Sequence, residues 1–370
     1  LAVTVVVLVY ILVQVGPANE TTLWLINEGR EYIEAPRWAD IGIVVVVLVF
    51  VFNLFATAMK GKQTGIVTVL MADVLALAGL YLAGMFWTDN ISVDQYWWWW
   101  VIHLWVEATW EVFVGCLLSY GLIKIIGARR EVVEMWLWIE VSMLFGSGIL
   151  GMGHHYFWIG TPEYWWEIGA LFSALEPVPL VAMFVHVIYD WGKETGLKEG
   201  HGSGEKTMNN SPAFAWFVTN AFGNFLGAGI WGFFHTLPQV NIYTHGTQFT
   251  SAHGHLAFFG AYATILIGMF YMGVQGKNGI KVMKATFDSK MAIFLITFGV
   301  LGMTVSLTVA GYGQVLVERA QMGATWEGFF VSQDMVWFVQ GLGWRLATGI
   351  MTFVGFLYLV KDLLTTSKSP

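Results

Sequence analysis

The sequence predicts an all-α fold, a polytopic bundle of membrane-spanning helices. Three observations carry this. Of the 370 residues, 56% are hydrophobic and only 12% are charged, and the mean hydropathy is +0.63, far from the average of a water-soluble domain. The chain divides into ten apolar runs, and a helix needs roughly 20 apolar residues to cross a hydrocarbon core. Fourteen of the eighteen basic residues fall on one set of alternate connections and ends, as expected when that set faces the cytoplasm.

The runs cover about 1–15, 38–59, 65–87, 97–126, 132–158, 165–191, 212–236, 247–273, 288–315 and 334–362. All but the first are too long for strands, and an exposed backbone in hydrocarbon must close its hydrogen bonds within a helix. The first run is short, and Leu1 stands inside it without an initiator methionine; the expectation is a single membrane domain over 1–370, cut at its N-terminus. The longest connection, around 192–211, is rich in Gly, Lys and Glu and reads as a solvated loop. Trp97 to Trp100, Trp158, Trp165 and Trp166 fall at the outer ends of runs and predict an interfacial aromatic belt. No basic cluster of the kind that tracks phosphates is present, so nucleic-acid binding is not expected. The single cysteine, Cys116, cannot form an internal disulfide and reads as a small buried hydrophobe.

The histidines carry the chemistry. His253 and His255 flank Gly254 in one apolar run. Residues two apart on a helix point to nearly opposite sides, so one helix can offer an imidazole to each of two broad planar ligands. With the orientation set by the basic residues, His103, His154, His155, His253 and His255 share one level, in the outermost third of the membrane. Five histidines from three helices at one depth form a metal-site pattern. In HLWVEATWE, His103, Glu107 and Glu111 recur at intervals of four and line one helix face. An ionisable group inside a membrane span is by default a functional hypothesis. Glu107 is placed to join three imidazoles, and such a set, with its oxygen donor, suits iron better than copper. Glu111 and Glu176 are candidates for handling protons; Glu176 precedes a proline expected to kink its helix. For each residue the other reading is a satisfied polar group in a helix core. His235 and His245 flank the outer mouth and are candidates to pair with acidic ligand groups. Asp73, Glu140, Arg345 and His186 have no partner legible in the sequence.

These stretches, with GMGHHYFWIGTPEYW, LFSALEPVP and HTLPQVNIYTHGTQFTSAHGHLAFFGAY, closely resemble the large catalytic subunit of the bacterial nitric oxide reductases, within the haem–copper oxidase superfamily. The resemblance covers essentially the whole chain. It implies a haem–copper oxidase type of bundle with about ten of twelve spans present, the first two and part of the third being absent. His103, His154, His155 and Glu107 resemble the ligands of a non-haem iron. His253 resembles the axial ligand of a high-spin haem b3, and His255 one ligand of a low-spin haem b. His245 falls in the haem propionate region. Glu31 resembles a calcium-binding carboxylate, with Glu34 beside it. Glu107, Glu111 and Glu176 resemble the acidic residues of the catalytic site. Oxygen-reducing relatives carry a tyrosine where Glu107 stands. The second histidine of the low-spin haem is not expected on this chain, whose first histidine is His103.

The implied reaction joins two nitric oxide molecules, with two electrons and two protons, into nitrous oxide and water. The implied setting is the bacterial inner membrane, with the active site towards the periplasm and a membrane-anchored cytochrome c subunit as electron donor. Three other readings remain: a quinol-fed reductase with a fused upstream domain, an oxygen reductase with copper, and a histidine-lined transporter.

Overall fold

The computed structural model describes residues 32–33, 36–194, 208–320 and 343–366. The apolar run expected over 1–15, and Glu31 and Glu34, lie outside the described residues. Among those residues there is no strand; an isolated bridge of extended backbone pairs Asn210 with Met283. Eight of the described helices are long and apolar enough to cross a bilayer: Trp38–Ala58, Gly65–Gly84, Ile91–Ile126, Arg130–His155, Tyr164–Lys193, Gln248–Lys277, Phe287–Val317 and Trp344–Thr366. The run expected over 212–236 is also helical, from Ser211 to Thr236, but is not among the eight. It carries Asn220, Asn224 and His235, all buried, which dilute its apolar character.

The chain forms two compact units, Leu1–Phe113 and Val114–Pro370. The first contains α1 (Arg37–Ala58), α2 (Gly65–Gly84), α3 (Ile91–Leu104), a π-helical turn (Trp105–Trp110) and the start of α4 (Glu111–Ile126). Thr64 caps α2 by accepting from the Val67 amide. Asn90 caps α3 by accepting from the amides of Ser92 and Val93, so α3 starts six residues earlier than the expected 97. Side-chain caps of this kind satisfy amides that the helix itself leaves without partners. Trp98 therefore lies two turns inside the helix, 3% exposed and packed against Gly84. It is a core residue of this unit and not part of an aromatic belt. Trp97 donates to the Ala83 carbonyl, and Trp105 to that of Leu77, which fixes α3 antiparallel to α2. α1 exposes Val45, Val46, Leu48, Val49, Phe50 and Phe52. A helix this apolar on its open faces is stable only where the surrounding solvent is itself apolar.

The second unit contains the rest of α4, α5 (Arg130–Leu150), a 3₁₀ turn (Gly151–His155), α6 (Tyr164–Ser173), α7 (Val178–Glu194), α8 (Ser211–Gly223), a π-helical turn (Asn224–Trp231), α9 (Gly232–Thr236), α10 (Pro238–Thr244), α11 (Gln248–Ala257), a π-helical turn (Phe258–Ala263), α12 (Thr264–Lys277), α13 (Phe287–Ala320) and α14 (Trp344–Thr366). The run expected over 165–191 breaks at residues 174–177. Pro177 and Pro179 lack the amides that α-helix continuation requires, and the sequence expectation of a kink there is met. α13 packs along α14, and α11 along α13.

The helix that begins with α8 crosses the helix that begins with α11 at glycines. A Cβ on Gly223 would stand 2.5 Å from the Gly260 Cα, and one on Gly227 would stand 2.8 Å from the Ala257 amide nitrogen. Between helices in lipid, small residues of this sort let backbones approach and replace the hydrophobic drive with close packing. Gly223→Val is expected to lower stability by about 1–3 kcal/mol, the scale of overpacking a tight core. The check is the thermal unfolding midpoint of the detergent-solubilised protein; an unchanged midpoint would contradict the packing described.

Candidate metal centre

In the first unit, His103 lies at the end of α3 with no exposed surface, and Glu107 lies in the π-helical turn that follows. His103 Nδ1 and Glu107 Oε2 are 3.4 Å apart. Two donors bound to one ion at about 2.1 Å each stand about 3–3.5 Å from one another, so this pair has the spacing of two ligands to a common ion. The sequence places these residues on one face of an α-helix; the structure brings them together across a wider π turn, a feature that recurs at functional sites. Glu111 opens α4 and is buried.

In the second unit, His154 and His155 form the end of the 3₁₀ turn, with ring centroids 4.1 Å apart. His154 Nδ1 donates to the Gly151 carbonyl at 2.7 Å. A carbonyl oxygen only accepts, so the proton is on Nδ1 and Nε2 carries the lone pair. The turn is held backbone to backbone against α6. A Cβ on Gly153 would collide with the Trp165 carbonyl oxygen, and one on Gly169 would collide with the His154 amide nitrogen. The following loop is tied down by its tryptophans. Trp166 Nε1 donates to the Tyr156 carbonyl at 3.0 Å, and Trp158 Nε1 to Asn241 Oδ1 at 2.9 Å. Trp158 and Trp166 thus anchor the histidine pair, a role the belt expectation misses.

His253 and His255 lie on α11, capped by Thr247, whose hydroxyl oxygen accepts from the Phe249 amide. Both donate through Nδ1, His253 to the Gly227 carbonyl at 3.1 Å and His255 to the Ser251 carbonyl at 2.8 Å. Each therefore carries its lone pair on Nε2. Among the described residues, a Cβ on Gly254 would have only the Phe258 ring near it, at 3.9 Å, so the ground beside this helix is open to a flat group. A planar cofactor on either flank of the helix, each with one imidazole ligand, fits these residues.

The other candidates separate. Glu176 is 3% exposed and accepts from the Ser173 hydroxyl at 2.8 Å. His235 is buried, with its ring 5.3 Å from that of His253. His245 follows directly on α10 and is exposed. His186, for which the sequence offers no partner, accepts from Trp136 Nε1 at 3.0 Å and stands 3.7 Å from Asp190. Glu140 is 1% exposed and fills a notch left by Gly115, where a Cβ would collide with both carboxylate oxygens. Among the described residues, His103, Glu107, His154 and His155 each carry a side-chain atom that can ligate a metal ion.

Residues 1–357 match the family model described as cytochrome c and quinol oxidase polypeptide I. The chain belongs to that family. A nitric oxide reductase polypeptide of Stutzerimonas stutzeri is 37% identical over 345 residues, which cover 92% of this chain and 70% of that relative. That degree of likeness places the chain among the nitric oxide reductase members of the family, and it is an oxidoreductase. A cytochrome c oxidase subunit 1 homologue of Azorhizobium caulinodans is 23% identical over 319 residues, covering 80% of this chain and 54% of that relative. A haem–copper terminal oxidase, solved as a dimer by cryo-electron microscopy, superposes with a TM-score of 0.57. It is 17% identical, over 88% of this chain and 57% of that one, which shows the shared fold. The chain therefore spans little more than half the length of these last two.

Proposed function

We propose that this chain is the catalytic subunit of a membrane nitric oxide reductase, converting two nitric oxide molecules to nitrous oxide and water. The observation that carries the reading is the carboxylate of Glu107 held 3.4 Å from His103 Nδ1. His103, Glu107, His154 and His155 would hold the non-haem iron. Three nitrogen donors and one oxygen donor favour iron over copper. His253 would hold the high-spin haem b3, and His255 would supply one ligand to the low-spin haem b. Glu31 would hold a calcium ion, and His245 would serve the haem propionates.

When bound, the two irons act as Lewis acids that stabilise the charge developing on the joined nitrogens. The chain's own part is orientation and proton supply. His253 and the His154–His155 turn are fixed by backbone hydrogen bonds, so the two substrate molecules meet as an oriented pair, which removes most of the entropic barrier to their encounter. Glu111 and Glu176 are buried carboxylates that hold protons where the product oxygen needs them. Electrons come from a membrane-anchored cytochrome c subunit. The site faces the periplasm of the inner membrane and takes its protons from that side.

The test uses the full-length protein with its partner subunit. With reduced cytochrome c as donor, it is expected to consume nitric oxide and release half as many molecules of nitrous oxide. Oxygen consumption without nitrous oxide formation, or copper in place of non-haem iron, would overturn the reading.

A further inference from the structure

We infer that His235 is a positioning residue that sets the orientation of the His253 imidazole. Two helical segments are clasped by a reciprocal pair of histidine bonds. His253, on α11, donates through Nδ1 to the Gly227 carbonyl in the π-helical turn that follows α8. His235, at the end of that same helical stretch, pairs through Nε2 with the Phe249 carbonyl at 3.3 Å. Phe249 is one helical turn before His253. A carbonyl oxygen only accepts, so the His235 proton is on Nε2. The two rings lie 5.3 Å apart at 42°. His235 is 9% exposed. The segments leave little room between them, since a Cβ on Gly232 would already stand 3.3 Å from the His253 Cε1. His235 thus bounds one side of the His253 ring and ties the turn that carries it. The plane of an axial imidazole and the hydrogen bonding of its far nitrogen tune a haem iron.

The inference rests on the reading of His253 as an axial haem ligand. The experiment is resonance Raman spectroscopy of the iron–histidine stretch of the reduced high-spin haem, with its midpoint potential, on the full-length complex. His235→Phe keeps a flat ring and removes the donor; His235→Gln keeps a donor and removes the ring. His235→Phe is expected to retain haem while shifting both the band and the potential, and His235→Gln is expected to shift them less. Wild-type values for His235→Phe would overturn the inference. Should His235→Phe fail to hold haem, His235→Gln decides: haem retained with a band close to wild type supports the donor role, and a band displaced to a different ligand signature overturns it. His253→Ala distinguishes the parent reading, since an axial histidine band surviving in that variant would remove His253 from the site and His235 with it.

Discussion

His154→Ala is expected to strip the protein of its non-haem iron and to lower nitric oxide turnover by about 10²–10³-fold, the scale on which loss of one preorganised group stabilising the transition state acts. The adjacent His155 does not compensate. His154 is locked by its bond to Gly151, and the turn is pinned against α6 by Gly153 and Gly169. An alanine at 154 leaves that backbone intact, so the helices and the haem absorbance should survive while the iron count falls. The check is metal analysis beside the haem spectrum in one preparation. Full iron occupancy with normal turnover in the variant would remove His154 from the centre.

His253→Ala is expected to abolish the high-spin haem signal and, with it, all measurable nitric oxide reduction, while the low-spin haem proposed at His255 is expected to respond less. The two histidines are separable because each is oriented by its own carbonyl, Gly227 for one and Ser251 for the other. His255 bonds within its own helix; His253 reaches across to another. Loss of His253 therefore leaves the His255 bond unaffected. Optical spectra of the reduced and carbon monoxide-bound forms read the two haems independently. Equal loss of both signals would contradict the assignment of one histidine to each flank.

Much of this organisation is legible in the sequence because hydrocarbon leaves the chain few choices. Long apolar runs must be helices, and Pro177 and Pro179 must interrupt one of them. The histidines and Glu107 stand out because imidazoles and carboxylates are costly in a membrane span without a purpose. Other features are not legible. The three π-helical turns at 105–110, 224–231 and 258–263 have no compositional signal; they are set by packing between segments, and they carry Glu107, supply the Gly227 carbonyl and follow directly after His255's helix. The glycines that matter most, Gly153, Gly169, Gly223 and Gly227, act by what they let approach from distant parts of the chain. His186 and Glu140 have partners fifty and twenty-five residues away in sequence, at Trp136 and Gly115. One miss has a readable signal: Asn90, followed by the turn-forming start of α3, is a helix cap, but the run of tryptophans after it draws the helix start inward.

X-ray absorption at the iron edge of the holoenzyme, with the haem contribution subtracted using His154→Ala, reads the non-haem iron centre itself. The account predicts a non-haem iron whose nearest shell holds imidazole nitrogens and one carboxylate oxygen, and a spectrum that loses that oxygen in Glu107→Ala. A centre without iron beyond the haems, or an iron whose shell is indifferent to Glu107, would contradict it.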